Sequence, residues 1–456
     1  MNLQHKRIPP PARVLLLCGL ALCFGSAAAQ ATTMLNNGSV NIINGASDDI
    51  VVSNGPGDTA TVVNVMAGAD IAAPVGLSAS LTQDSVFLMT GGTAQGDIEM
   101  ADNTVAFIQG AAGVGGNIVV GGSSELQISA DAQIGGEVEV TDNAIANFMG
   151  GEADTFGVFG NAVATINGGS IDDDMDVGDD GVLNVIDVFV NDDVDAEGNG
   201  IMNLMGGIYD EDVEAAESST INIIGGEFIR IFSDGANLVA SGGTINATGG
   251  VFGAAGAPQD GEMSAAGGGV INMIGAEIAG AGDGTASAVV ASASLNAEIN
   301  FESMAFGDLS TSSATGALVD LTDITASALE VSAIAGSTII DATSADSLNL
   351  LADLSSSVVI LGGLFDSSTI NSQGGSVIEI IGTDFLVNGI PLPFGDVPFI
   401  SGDIKGTLAD GSAFDTLFSR GFSSGSRIVL VNAIPEPMSA LLASLAVAGV
   451  VAVRKR

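Results

Sequence analysis

Carboxylates are the residues of this sequence whose type and spacing can do chemistry. Asp176, Asp195 and Glu214 follow one another at intervals of 19 residues, each in a short segment that alternates acidic and apolar residues. Stacked in register, they would lie on one face about 5 Å apart, where two like charges repel by roughly 1 kcal/mol even in bulk water. Ca²⁺ prefers carboxylate and carbonyl oxygens and would relieve that repulsion. The spacing therefore predicts a Ca²⁺ site at these residues, with a merely solvated acidic face as the alternative.

The residues that most hydrolytic mechanisms need occur only at the start of the chain. Cys18, Cys23 and the single histidine, His5, all lie within the segment 1–29. The rest of the chain can form no disulfide, offers no cysteine or histidine metal ligand and has no histidine general base. We therefore predict no catalytic residue and no required cofactor, with Ca²⁺ as the one candidate ligand.

An enzyme acting on polysaccharides is the alternative from another class. Paired carboxylates can perform acid–base hydrolysis without histidine, as in a parallel β-helix lyase or glycosidase. Such clefts also need basic and aromatic side chains, and the central body offers one tyrosine, Tyr209. Its only basic residues are Arg230, Lys405, Arg420 and Arg427.

The charge balance limits the partners. The chain has 54 acidic and 10 basic residues, a formal net charge of −44. Nucleic acid and anionic lipid would be repelled by such a surface, so cations are its expected partners.

The elements that must position these carboxylates are repeats. The segment Thr220-Ile-Asn-Ile-Ile-Gly-Gly226 recurs with variations along the chain. Successive copies mostly begin roughly 18–20 positions apart, and the interval lengthens to about 24–28 between Asn222 and Asn300. We count roughly seventeen units between positions 35 and 385. Glycine falls every few residues and no apolar stripe of helical period persists, so helices are not expected there.

Each unit contains two short segments with strand periodicity, one rich in Ile and Asn and one alternating acids with apolar residues. Two short strands cannot enclose a core, but stacked copies can bury a continuous apolar column. We therefore predict an all-β fold, a parallel β-solenoid of coils of about 19–28 residues; a disordered chain and β-sandwich domains are the alternatives. Stacked amides should hydrogen-bond along the axis, in a column comprising Asn147, Asn184, Asn203, Asn222, Asn246 and Asn272.

The repeat ends near position 384. Three prolines, Pro391, Pro393 and Pro398, open a segment with a different pattern that runs to position 433. We predict a small C-terminal β cap there, because the open end of a stack would otherwise aggregate.

The N-terminal segment, 1–29, has the pattern of a signal peptide. Lys6, Arg7 and Arg13 supply positive charge, Val14–Phe24 is apolar, and small residues precede a cleavage position before Gln30. We expect export through the Sec machinery.

The C-terminal segment has the pattern of a membrane anchor. Met438–Val453 is an uncharged apolar segment, long enough as a helix for about 24 Å of the roughly 30 Å of hydrocarbon in a bilayer. A basic cluster follows it and should remain in the cytoplasm. The cluster comprises Arg454, Lys455 and Arg456, and the motif before the helix comprises Pro435, Glu436 and Pro437.

Over positions 434–456 the chain resembles the PEP-CTERM proteins, whose tail is a Pro-Glu-Pro motif, an apolar helix and an arginine-rich end. The resemblance implies a bacterium with two membranes, and recognition and cleavage near the motif by an exosortase-type peptidase. It also implies association with exopolysaccharide, biofilm or floc. The tail predicts where the protein is localised and does not predict the activity of the rest of the chain.

Together these patterns predict a non-enzymatic exported protein of the cell surface or extracellular matrix, structural or adhesive, anchored transiently in the inner membrane. An adhesin for a foreign cell or glycan would differ only in its ligand. The expected organisation is a signal peptide (1–29), a β-solenoid (30–384), a β cap and linker (385–433) and a sorting anchor (434–456), with apolar helices at the two termini.

Overall fold

The computed structural model describes residues 32–433, except positions 56, 58, 73–75, 130, 232–235, 254–261, 280–287 and 422–424. These residues belong to one compact unit, Thr32–Arg456. The regular elements among them are all β-strands. No helix in this described part is long and apolar enough to cross a membrane. The predicted terminal helices, the signal peptide and the sorting anchor lie outside the described residues.

The fold is a parallel β-solenoid of about 16 turns, which confirms the predicted class. Each turn contributes one strand to each of three parallel faces, in the order face 1, face 2, face 3. For example, Met175–Val177 belongs to face 1, Val182–Ile186 to face 2 and Phe189–Val190 to face 3. Each of these strands pairs in parallel with its counterpart one turn later, so the backbone hydrogen bonds run along the stack.

The strand bounds follow this three-face order. Face 1 contains Thr33–Leu35, Ile50–Val52, Leu77–Leu81, Asp97–Met100, Ile118–Val120, Val138–Val140, Phe156–Val158, Met175–Val177, Val194–Ala196, Val213–Ala216, Leu238–Ser241, Glu262–Ala266 and Ala288–Ala293. Face 2 contains Val40–Ile43, Val62–Val65, Val86–Met89, Val105–Ile108, Glu125–Ser129, Ile145–Met149, Val163–Asn167, Val182–Ile186, Thr244–Ala247, Val270–Ile274, Ser337–Asp341 and Ser357–Ile360. Face 3 contains Ala46–Ser47, Asp70–Ile71, Gly92–Ala94, Ala112–Val114, Gln133–Ile134, Glu152–Ala153, Ser170–Ile171, Phe189–Val190, Val251–Phe252 and Glu277–Ile278.

Some strands continue around a corner from one face to the next and join the faces into one hydrogen-bonded system. These longer strands are Ile201–Tyr209, Thr220–Phe228, Glu298–Ala314, Leu318–Ile334, Thr343–Asp353, Gly363–Ser372 and Val377–Val387.

Face 3 is an addition to the sequence prediction, which placed two strands in each turn. Its strands are mostly two or three residues long, as in Glu152–Ala153 and Ser170–Ile171. Segments this short cannot display the period-two alternation by which strands are recognised. These two strands follow Gly-Gly pairs, at positions 150–151 and 168–169.

The core lies inside the three faces and contains side chains that alternate with outward residues on every strand. Aromatic rings stack on one another inside face 3. The rings of Tyr209 and Phe228 lie 4.7 Å apart, as do those of Phe228 and Phe252, and all three side chains are fully buried. The ring spacing matches the strand spacing of about 4.8 Å, so the stack of turns also sets the stack of rings.

The corner from face 1 to face 2 has a constant length of four residues in the central turns, such as residues 159–162 between Val158 and Val163. Its second residue has a positive φ and alternates between aspartate and glycine along the stack. The residues concerned are Asp102, Gly122, Asp142, Gly160, Asp179 and Gly198.

The alternation has a steric and a polar cause. A Cβ at Gly160 would lie 2.9 Å from the backbone nitrogen of Asp142 in the turn before. In the other direction, the Gly160 N–H donates to Oδ2 of Asp179 in the turn after, with the two atoms 3.3 Å apart. Glycine therefore permits the close approach, and aspartate supplies the acceptor that caps it.

The corner from face 3 to face 1 varies in length. Three residues, 172–174, connect Ile171 to Met175, whereas nine residues, 229–237, connect Phe228 to Leu238. Nine residues also separate face 3 from face 1 in each of the next two turns. The predicted lengthening of the repeat therefore falls at this corner alone, and the register of the three faces is preserved.

The C-terminal β cap is present as predicted. Ser401–Leu408 pairs antiparallel with Val377–Val387 and with Ala413–Arg420. Ala413–Arg420 and Arg427–Asn432 also continue faces 1 and 2 in parallel. The remaining strands, Ile390–Pro391 and Gly395–Asp396, pair antiparallel at its edge.

Candidate cation-binding site

The three predicted carboxylates lie side by side on the outer surface of face 1. Asp176 is the register partner of Asp195, and Asp195 is the register partner of Glu214. Their neighbours along the strands, such as Met175 and Val177, are buried, so the carboxylates face outward. Adjacent members are separated by one strand spacing, about 4.8 Å. We call Asp176, Asp195 and Glu214 the acidic column.

Burial and mutual repulsion raise the pKa values of the two aspartates in this column. Burial is the larger cause, and with the charge of Asp174 it raises the pKa of Asp176 to about 7. Burial and the charge of Asp176 raise the pKa of Asp195 to about 8. The ring of Phe159 lies against Gly157, the register partner of Asp176 in the turn before. A bound cation would favour the ionised forms that the surroundings disfavour.

A second acidic group lies at the neighbouring corner from face 3 to face 1. Asp173, Asp174 and Asp192 each place one carboxylate oxygen within 4.8 Å of the others. Burial raises the pKa of Asp174 above its ordinary value, and the charge of Asp173 adds to this effect. This trio was not among the ligands that the sequence predicted. Its signal was the run of three aspartates, Asp172 to Asp174.

Some carboxylates at this corner have a structural role. Oδ1 of Asp193 accepts a hydrogen bond from the backbone N–H of Asp212, with the atoms 3.0 Å apart, and Oδ1 of Asp212 accepts one from Asn237 at 2.6 Å. Burial still raises the pKa of Asp193 to about 6, although the hydrogen bond from Asp212 acts in the opposite direction. These side chains fix one turn to the next, so the acid-rich composition partly reflects the architecture.

The four basic side chains of the described residues pair with carboxylates or with a backbone carbonyl. Arg230 forms ion pairs with Asp210, at 3.3 Å, and with Glu211. The other three lie in or beside the cap: Lys405 Nζ is 2.6 Å from Asp415 Oδ2, Arg427 Nε is 2.7 Å from Asp396 Oδ1, and Arg420 Nη1 donates to the Val397 carbonyl at 3.2 Å.

The asparagine column on face 2 forms the predicted ladder. Nδ2 of Asn203 donates to Oδ1 of Asn184 at 2.9 Å, and the same bond recurs from turn to turn up to Asn300, with lengths between 2.7 and 3.0 Å. Asn147 occupies the same column, but Thr165 separates it from Asn184. The ladder is structural, as expected, and Asn300 extends it by one turn.

Tyr209 is part of the core, so its ring cannot stack against a sugar. Its side chain is fully buried against Phe228, and its hydroxyl donates to the Gly206 carbonyl at 2.7 Å. The nearest open feature is a groove of about 650 Å³ at the corner from face 2 to face 3. Its lining includes five glycines and the carboxylates Asp187, Glu227 and Glu277.

The fold and this surface define a class: a parallel β-solenoid repeat protein whose outer surface carries stacked carboxylates. Comparison with protein-family models, with curated proteins and with solved structures finds no match to the chain. The predicted sorting motif, Pro435 to Pro437, and the basic end, Arg454 to Arg456, lie outside the described residues.

Proposed function

We propose that the chain is an exported, non-enzymatic protein of the cell surface or extracellular matrix, with a structural or adhesive role, whose acidic column binds Ca²⁺. The observation that supports this proposal best is the outward column of Asp176, Asp195 and Glu214 on a stack that buries its apolar residues. A stack of this kind offers a long regular surface, and cations can bridge its carboxylates to other acidic matrix components.

The proposed localisation rests on the sequence of the two terminal segments. The segment 1–29 would direct export through the Sec machinery, and an exosortase-type peptidase would recognise Pro435, Glu436 and Pro437. The apolar segment and the basic end would hold the chain transiently in the inner membrane of a two-membrane bacterium. Exopolysaccharide is the partner that this address favours.

Mass spectrometry of the native extracellular protein tests the address, because it reports both trimmed ends at once. We expect an N-terminus at Gln30 and a C-terminus near Pro435–Pro437. Recovery of the chain only from the cell interior, with Arg454–Arg456 retained, would contradict the proposal.

Co-sedimentation tests the role. We expect the purified protein to sediment with the exopolysaccharide of its own cells in millimolar Ca²⁺ and to remain soluble in chelator. The double variant Asp176→Asn with Asp195→Asn should bind less, and Glu99→Gln, on the same face but outside the acidic column, is the matched control. Stronger binding to foreign cells than to the self-matrix would indicate an adhesin.

A polysaccharide-active enzyme is the second candidate, and the groove is where it would act. Glu227 and Glu277 are two turns apart with Val251 between them, so about 10 Å separates their backbones, close to the spacing of an inverting glycosidase. Release of reducing ends from acidic polysaccharides, abolished by Glu227→Gln or Glu277→Gln, would favour this candidate. No release from any substrate would leave the matrix role.

A further inference from the structure

Face 2 carries an uncharged region in an otherwise acidic molecule. Seven consecutive strands, from Ile145–Met149 to Val270–Ile274, contain no charged residue within this face. Carboxylates bound the region on both sides. Glu125 lies in the strand before it, and Glu298 and Glu302 lie in the strand after it. We call the outward side chains of these seven strands the neutral face.

Large apolar side chains are exposed on the neutral face, on both sides of the asparagine ladder. Ile201 is 39% exposed, Met205 41% and Ile224 57%. An exposed apolar patch of a few hundred Å² on a soluble surface marks an interaction site. The other members are Ile145, Met149, Val163 and Ile274.

The distribution of charge over the three faces indicates what would bind the neutral face. The chain has a net charge of −44, so a second copy would be repelled at most approaches. Over the same turns, the outer surfaces of faces 1 and 3 both carry carboxylates, and face 2 carries none. The carboxylates are Glu139, Asp176, Asp195 and Glu214 on face 1, and Glu152, Glu227 and Glu277 on face 3.

We propose that the neutral face binds the neutral face of a second copy of this chain. The same patch would be used on both subunits, which gives a closed dimer with two-fold symmetry. Face-to-face contact would place the acidic column of each copy away from the partner surface, and it would cover the exposed Ile and Met side chains.

The area fits a reversible dimer. Six strand spacings of about 4.8 Å and a strand width of about 15 Å give roughly 450 Å² for each copy, or roughly 900 Å² in total. Specific interfaces usually exceed about 1,000 Å², so we expect a concentration-dependent association. Each ladder amide from Asn203 to Asn272 uses one N–H and one acceptor within its own chain, which leaves a second N–H and a lone pair for the partner.

Two substitutions in one strand test the proposal. Ile201 and Ile208 both belong to Ile201–Tyr209 and are exposed by 39% and 37%, but Ile201 lies on the neutral face and Ile208 on face 3. Sedimentation equilibrium of the purified full chain should show a mass that rises with concentration from 45.0 kDa towards twice that value. Ile201→Glu should raise the dissociation constant at least tenfold, and Ile208→Glu should change it less than threefold.

Met205→Glu repeats the test at a second position, and thermal melts verify that every variant is folded. The apolar segments near the two termini are identical in all these proteins, so association through them would respond to none of the substitutions. A monomer at every concentration would overturn the proposal. Equal effects of Ile201→Glu and Ile208→Glu, or no effect of either Ile201→Glu or Met205→Glu, would also overturn it.

Discussion

Asp195 shows how burial and neighbouring charges change the pKa of a single side chain. Its neighbours in register are Asp176 and Glu214, and burial with these charges keeps its pKa near 8. At neutral pH a proton would therefore compete with the proposed Ca²⁺ for the same oxygens. The sequence indicated that the three carboxylates would be adjacent. It could not indicate the pKa shift, because that depends on how deeply the folded chain buries the side chain.

The pKa values predict how stability depends on pH. A carboxyl group whose pKa is about 4 in the unfolded chain and 7–8 in the folded one binds more protons when folded. The contribution of these two groups to the free energy of unfolding should therefore be largest below about pH 4. It should fall as pH rises to about 8. In chelator, we expect the melting temperature to fall by several degrees between pH 5 and pH 8.5.

Asp195→Asn should raise the melting temperature at pH 8.5 and flatten this pH dependence. Glu99→Gln is the control, because its register neighbours Ser80 and Val119 are uncharged. A melting temperature that rises from pH 5 to pH 8.5, or an equal flattening by both variants, would contradict the assignment.

Ca²⁺ should reverse the effect of high pH. For a dissociation constant of 10⁻⁴–10⁻³ M, which is typical of extracellular sites, 2 mM Ca²⁺ should stabilise the protein by about 1–2 kcal/mol at pH 8. At pH 5 protons occupy Asp176 and Asp195, so the gain should be smaller. Differential scanning calorimetry with Ca²⁺ and with chelator measures both values.

Asp176→Asn with Asp195→Asn should reduce the Ca²⁺ gain, whereas Glu99→Gln should preserve it. An identical melting temperature with and without chelator at pH 8 would exclude stabilisation by Ca²⁺. A gain that survives the double substitution would instead assign the ion to Asp173, Asp174 and Asp192.

At the scale of the element, the backbone geometry of each corner limits which residue types can occupy it. The corner from face 1 to face 2 alternates aspartate and glycine because each glycine lies against the backbone of the turn before, and Gly122 and Gly160 each donate to an aspartate side chain of the turn after. Sequence reasoning recognised that glycine falls every few residues. It could not see that the two residue types cooperate across turns.

Gly198→Ala should destabilise the protein more than Gly68→Ala. Both glycines have a positive φ, +64° and +84°, which costs alanine roughly 1–2 kcal/mol. A Cβ at Gly198 would also lie 2.9 Å from the Asp179 nitrogen, whereas one at Gly68 meets no atom within 4 Å. Overpacking adds about 1–3 kcal/mol. Chemical denaturation compares the two, and equal losses would show that the close approach is unimportant.

Asn222→Ala tests the ladder on face 2. The substitution removes the bond that Asn222 donates to Asn203 and the bond that it accepts from Asn246. A half-buried amide on each side then loses its partner, so we expect a loss of about 1–3 kcal/mol in chemical denaturation. Asn167→Ala, at an exposed position of the same face outside the ladder, should cost less than about 0.5 kcal/mol. Equal costs would show that the ladder contributes no stability.

The faces differ in how far the sequence predicts them. Faces 1 and 2 were recognisable because segments such as Val182–Ile186 show alternation and recur at a fixed interval. Face 3 was not, since a pair such as Phe189–Val190 has no period to detect. The acidic column and the asparagine ladder were predictable because a parallel stack places residues one repeat apart side by side. The trio at Asp173, Asp174 and Asp192 depends on the shape of a corner, which the repeat does not specify.

At the scale of the whole molecule, stability is distributed along one dimension. Each turn pairs with the turn before and the turn after, so the coupling between distant turns passes through every interface between them. The stacked rings of Tyr209, Phe228 and Phe252 carry this coupling through the region where the repeat lengthens.

Phe228→Ala should weaken the stack at that point. Loss of a fully buried phenylalanine costs about 3–5 kcal/mol, and with the coupling reduced the two flanking segments should unfold separately. Denaturation should change from one transition to two. Phe189→Ala, an outward residue of face 3 that is 37% exposed, should retain one transition. A single transition in Phe228→Ala would show that the segments remain coupled without the central ring.

The corner from face 3 to face 1 has a consequence for how such a chain diversifies. Because three residues there can become nine without disturbing the strands on either side, duplication or slippage during replication can lengthen this edge while the pitch of the solenoid stays constant. New peptide sequence would then accumulate along a single line on the surface. Variable epitopes could be displayed there while the strands of the three faces remain unchanged.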